Sequence, residues 1–188
     1  MEMHIRNIIL LGIDAFGGNI SGKTMLQKRF YFLSELTDHD LGYHAHYFGP
    51  YSDEVADEVV ALKTLNRVRE ECQDFGGVSQ DGFEIKRFDY ALTEEGKKGI
   101  EWLKQEKPNE ADMIAKNAKK IKDAGSLNYV DLSIAAKAHF ILKQNKEGMT
   151  PQGITQAAKK FSWDVNDKQI NQAIDFLKRL GMVKTGKG

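Results

Sequence analysis

Cysteine is almost missing from this chain: of its 188 residues only Cys72 is a cysteine. One thiol closes no internal disulfide and builds no multi-cysteine zinc site, so a reducing intracellular setting is expected. Net charge is missing as well, because 27 Lys+Arg balance 27 Asp+Glu. That balance excludes a uniformly basic nucleic-acid coat and an acidic disordered tail. Long apolar runs are also lacking. The longest, Ile8–Ile13, is far short of the about 20 residues that a membrane-spanning helix needs. The N-terminus has neither the basic start nor the clean small-residue cleavage site of a secretory signal, and a cytoplasmic protein without membrane contact is expected. Proline occurs three times, at Pro50, Pro108 and Pro151, each where one expected element gives way to the next.

What is present is a 41% hydrophobic composition, enough for a packed core. The length suits one medium or two small domains at roughly 100–150 residues each. Composition shifts divide it into residues 1–107 and 108–188. The neutral total hides an asymmetry. Residues 1–60 sum to −5, residues 61–107 to −1 and residues 108–188 to +6. Such polarity suggests that one half meets an anion, or that the halves meet each other.

Apolar residues at Ile5, Ile8, Ile9, Ile13 and Phe16 follow helical spacing, with Gly17 and Gly18 ending the helix. A second helix is expected from Gly22 to Leu36, and Tyr43–Phe48 (YHAHYF) alternates like a short strand. Ser52 is a natural N-cap for a third helix carrying Val55, Val59, Leu62 and Leu65. Arg67–Asp74 and Phe83–Ala91 read as two strands joined by the loop FGGVSQDG, and Thr93 caps a further helix. This order is that of a winged helix. Residues 109–123 form a lysine-rich connecting helix. Beyond it, apolar spacing at Ile134–Leu142, Ile154–Phe161 and Ile170–Leu180 gives three short helices, a helix-turn-helix-like bundle, with Thr150 and Pro151 starting the middle one. The fold expected is mainly α with a small β-wing.

Gly17–Thr24 (GGNISGKT) matches the spacing of a phosphate-cradling P-loop. That loop needs a parallel strand running into it and a later strand supplying a magnesium-binding Asp, and the pattern here offers neither. The favoured reading is a helix-to-helix turn in which Ser21 caps the second helix.

Three stretches together carry a resemblance: GKTMLQKRFYFL (22–33), FGPYSDEV (48–55) and the Y-x-L-T-x-x-G of Tyr90–Gly96. They resemble the YwgA-like uncharacterised prokaryotic proteins and, more distantly, the Panacea or SocA-like antitoxin-associated family. The resemblance spans residues 5–105, with Phe48 where the turn more often has Tyr. It implies a winged-helix-like domain serving toxin neutralisation, an adaptor role or regulation.

Two surfaces are candidates for binding. The helix starting at Ser52 opens with Asp53 and Glu54, followed by Asp57 and Glu58, and these carboxylates would repel DNA phosphates, so it suits a protein partner. The third helix of the C-terminal bundle offers Lys168, Gln169, Asn171 and Gln172, side chains able to read bases. Lys159 and Lys160 precede it, Lys178 and Arg179 close it, and Lys184 and Lys187 lie in the tail. These make a candidate duplex-DNA surface, or else the solvated faces of an ordinary bundle. Tyr47, Phe48 and Tyr51 surround the Gly49-Pro50 turn and, with Asp53 and Glu54, form the candidate protein-binding site. A toxin is one such partner by resemblance, and a homo-oligomer is expected. His44 and His46, two apart on the expected strand, would face one side, but no spacing demands a third ligand, and neither metal nor cofactor is expected. Ser21, Ser52 and Ser162 lack a nucleophile-elbow context, and no catalytic constellation emerges, so the chain reads as non-enzymatic.

Overall fold

The computed structural model describes residues 3–78, 84–125, 127–145 and 148–183. They form eight α-helices and one three-stranded antiparallel sheet. None of the helices is long and apolar enough to cross a membrane.

The first helix, α1 (Ile5–Ala15), buries Ile8, Ile9, Leu10, Leu11 and Ile13, so it is apolar on nearly every side and lies inside the molecule. It packs on α3 (Asp53–Thr64), α4 (Glu94–Glu106) and α5 (Pro108–Ala124). Gly12 allows the approach of α2 (Lys23–Thr37): a Cβ there would lie 2.4 Å from the Phe30 ring. Gly17 and Gly18 then turn the chain with φ of 109° and 82°, as their sequence position suggests.

The turn leads into β1 (Asn19–Ser21), a strand too short to show in the apolar pattern. It pairs with β3 (Glu84–Leu92), which pairs in turn with β2 (Val68–Val78), giving the order β1-β3-β2. Ile20 lies opposite Tyr90, and Glu70 opposite the other side of Tyr90. Ser21 therefore belongs to a ladder, not to a cap. The N-cap of α2 is Gly22, which has no side chain to give, and this corrects the role expected for Ser21. Phe75–Val78, expected in a loop, continue β2, while residues 79–83, including Phe83 at the expected start of the next strand, lie outside the described residues.

Ser52 and Thr93 do cap α3 and α4, accepting from Val55 N and Gly96 N. The lysine-rich segment is α5, and it is no free strut. Its stripe of Ala111, Ile114, Ala118 and Ile121 is buried against α1, α2, α4 and α8 (Asp167–Leu180). With α6 (Tyr129–Gln144) and α7 (Pro151–Ala158), α8 makes a three-helix layer, and α6 also packs on α2. Thr150 caps α7 with Pro151 at its first turn, and α7 passes through a 3₁₀ turn at Lys159–Phe161.

Candidate functional site

The segment Tyr43–Tyr51 does not form the strand that its alternation suggests. Its only ladder pairing is one antiparallel bridge between His44 and Tyr51. The physical reason lies in its carbonyls. Those of His46, Phe48 and Pro50, two residues apart, are each taken by a side chain from a different part of the chain. Trp163 Nε1 donates to His46 at 2.7 Å, Ser133 Oγ on α6 donates to Phe48 at 2.9 Å, and Lys28 Nζ on α2 donates to Pro50. With the carbonyls spent this way, no neighbouring strand is needed. Gly49 sits at φ 100°, where a side chain would be strained, and a Cβ there would crowd Lys137 Cγ at 3.0 Å.

The base of the segment is fixed by Gln27. Its amide donates to the Ser52 carbonyl at 2.9 Å and accepts from the Ser52 N–H at 3.0 Å. Tyr43 donates to the Gln27 carbonyl at 2.7 Å, and Ser52 Oγ donates to the Leu41 carbonyl. The residues L-Q-K of α2 and G-P-Y-S of the turn are therefore two sides of one interlocked structure. Lys28 is 1% exposed, and burial, followed by the nearby Lys137 charge, pushes its ammonium down to about 7. Beside it, Tyr31 and His139 are hydrogen-bonded at 2.8 Å across the α2–α6 contact. Burial raises the Tyr31 phenol and lowers the His139 imidazole, so both favour their neutral forms.

On this fixed frame the tip points outward. Tyr47 is 67% exposed and Phe48 63%, their rings edge to face at 4.8 Å. The contacts continue from Phe48 to His46 at 6.3 Å and from His46 to Tyr51 at 5.0 Å. From Tyr51 they reach His44 at 6.3 Å, and the His44 Nε2 lies 3.7 Å from a carboxylate oxygen of Asp53. Asp53 and Glu54 are exposed on the first turn of α3. Four of the five residues expected to bind a partner, Tyr47, Phe48, Tyr51 and Asp53, thus lie along one surface, and Glu54 follows Asp53 on α3. Sequence reasoning misses the clamps Ser133 and Trp163, which lie more than 80 residues away.

The candidate DNA residues meet different fates. Gln169 and Asn166 form a capping box, each side chain bonded to the other's backbone N–H, so the Gln169 amide is engaged at the start of α8. Arg179 Nε donates to the Ala124 carbonyl and closes the end of α5. Asn171 donates to the Asp167 carbonyl at 2.8 Å, and Lys178 faces Asp175 at 3.7 Å. Lys159, Lys160, Lys168 and Gln172 are exposed and carry no ion pair or side-chain hydrogen bond among the described residues. Part of the positive charge of the C-terminal third is structural: Lys122 also donates to the Ala15 carbonyl, the last of α1, at 2.8 Å. Lys184 and Lys187 lie outside the described residues.

The histidine pair, expected on one face of a strand, is separated in role by the turn. His44 pairs with Tyr51 and faces Asp53, whereas His46 lies against Tyr51 and Phe48. Among the described residues no three His, Cys, Asp or Glu side chains converge as a metal site would require. The segment GGNISGKT is preceded by α1, and its strand β1 is antiparallel. Lys23 Nζ lies 4.0 Å over the Phe88 ring. No protein-family model matches this chain, and no curated protein matches it.

Proposed function

We propose that this is a non-enzymatic regulatory protein that docks a protein partner through the Tyr47–Phe48 turn. One observation carries the reading. Two adjacent aromatic side chains stand more than half exposed on a turn whose carbonyls are clamped by side chains from α2, α6 and the loop before α8. Exposed aromatics on a pre-ordered backbone bind without the cost of ordering a loop, the usual property of an interface anchor. The element order α1–β1–α2–α3–β2–β3 supports a winged-helix-like unit, and α6–α8 a helix-turn-helix-like one. The resemblance to antitoxin-associated proteins makes a toxin one partner class. The Ser52 hydroxyl, spent on the Leu41 carbonyl and the Val55 N–H, supports a structural rather than nucleophilic use.

The test is photo-crosslinking in cells from a reactive amino acid at position 47 and, as a control, at exposed position 102. A discrete protein adduct from position 47 that is missing from position 102 supports docking at the turn. Equal labelling from both, or none from 47, removes the reading.

Duplex DNA is a second reading, favoured by the exposed, unpaired Lys159, Lys160 and Lys168. Binding through them would weaken steeply with salt through counterion release. Salt-independent retention, or no retention on duplex DNA at low salt, sinks it.

A further inference from the structure

We infer that the partner docking at the Tyr47–Phe48 turn is a cationic protein segment in which arginine or lysine alternates with apolar residues. This rests on the docking reading and adds the chemistry of the partner. From Phe30 to Leu62 the chain has no Lys or Arg, yet it holds seven Asp and Glu. Two of those carboxylates are neutralised from elsewhere: Arg6 pairs with Glu58 at 2.6 Å, and Lys143 with Glu35 at 2.9 Å. Lys23 and Lys63 share a pocket with Tyr51 but are engaged there, Lys23 over the Phe88 ring and Lys63 with Glu70 at 2.6 Å, and two further cations lie behind the turn. Lys28 is buried beneath Pro50, and the Lys137 stem packs under Gly49.

On the outer side the aromatic contacts run from Tyr47 to His44 and end at Asp53. Glu54 and Asp57 follow on the exposed side of α3 and have no ion-pair partner among the described residues. Burial, followed by the Asp53 and Asp57 charges, raises the Tyr51 phenol, so these two carboxylates lie within reach of the aromatic path. An aromatic face attracts a guanidinium or ammonium through its quadrupole, and an adjacent carboxylate supplies the pairing charge. Apolar side chains of the partner would cover the Tyr47 and Phe48 rings, and its cations would reach Asp53, Glu54 and Asp57. An acidic partner would meet uncompensated like charge along the same path.

The 188-residue chain, ¹⁵N-labelled, is titrated with three synthetic eight-residue probes: alternating Leu-Arg, alternating Gly-Arg and alternating Leu-Glu. The expected result is that Leu-Arg binds most tightly and shifts the amides of Tyr47, Phe48 and Asp53 to Asp57. Gly-Arg is weaker, and Leu-Glu does not bind. The variant D53N/E54Q/D57N, checked by thermal unfolding, loses roughly five- to tenfold in affinity for Leu-Arg, the sum of three exposed charge contacts. The inference is overturned if Leu-Arg does not bind at all, if Leu-Glu binds as well, or if the triple variant binds Leu-Arg unchanged. In the last case a loss of binding in Y47A/F48A leaves the docking reading standing and removes only the cationic partner. If Y47A/F48A binds Leu-Arg as tightly as the unaltered chain, the turn is not the docking point and both readings fail.

Discussion

Gln27 holds both backbone groups of Ser52: its amide oxygen accepts from the Ser52 N–H at 3.0 Å, and its amide nitrogen donates to the Ser52 carbonyl at 2.9 Å. Both residues are buried, so a side chain near the start of α2 supplies the Ser52 N–H with its partner and adds a second donor to the carbonyl, which also accepts from Ala56 N–H at 3.2 Å. Replacing Gln27 with leucine keeps the bulk but leaves the buried Ser52 N–H unpaired, while the carbonyl keeps only the Ala56 N–H. The expected loss is about 1–3 kcal/mol of unfolding free energy, measured by urea denaturation. Gln27→Glu should also destabilise, because a carboxylate accepts from the N–H but repels the carbonyl.

Lys28 gives the protein an alkaline stability window. Its pKa falls from the ordinary lysine value to about 7 on folding, so between pH 7 and about 10 the unfolded chain holds more protons than the folded one. Stability therefore rises with pH across that range, by up to about 1.4 kcal/mol per pH unit for one proton. The half-buried Lys137, lowered mainly by burial, adds in the same direction. The tyrosines Tyr31, Tyr43 and Tyr90, all raised mainly by burial, oppose it only where free phenols ionise, near pH 10. Chemical denaturation at pH 6.5, 8 and 9.5 should show the rise, and Lys28→Met should flatten it. An equal rise in the variant would contradict this role for Lys28.

Gly96 explains the glycine of the T-x-x-G stretch. A Cβ on it would lie 2.1 Å from the Arg67 carbonyl oxygen, and that carbonyl also accepts from the Thr93 N–H at 3.1 Å. Backbone cannot yield as a flexible side chain would, so Gly96→Ala should cost about 3 kcal/mol or more and separate α4 from the start of β2. Gly99→Ala, whose Cβ would make ordinary contact with Leu10 at 3.4 Å, is the matched control and should cost far less. Thermal melts of the two variants make the comparison.

Tyr47 and Phe48 contribute little to folding because their rings are mostly in water. The double variant Y47A/F48A should unfold within about 0.5 kcal/mol of the unaltered chain. Trp163→Phe should behave oppositely. It removes the indole donor and leaves the His46 carbonyl one partner short, at about 1–2 kcal/mol, without changing any exposed aromatic.

The sequence by itself determined most of the helices, because apolar spacing, capping residues and the placement of Gly and Pro act over a few residues. Ser52, Thr93 and Thr150 are caps because of their neighbours, and Gly17 and Gly18 turn the chain wherever it goes. The apolar, mostly buried α1 follows from the same local chemistry. What only the tertiary structure decided depends on partners distant in the chain. The segment Tyr43–Phe48 alternates like a strand, yet the side chains of Lys28, Ser133 and Trp163 take its carbonyls and hold it as a turn. β1 exists because β3 has an open edge beside it, which three residues of sequence cannot announce. Gln169 and Arg179 looked free to read DNA, but the first closes a capping box and the second ends α5. A side chain's chemistry is written in the sequence, whereas which backbone group it meets is set by packing, and that choice makes Lys28 a buried clamp and leaves the Tyr47 ring in water.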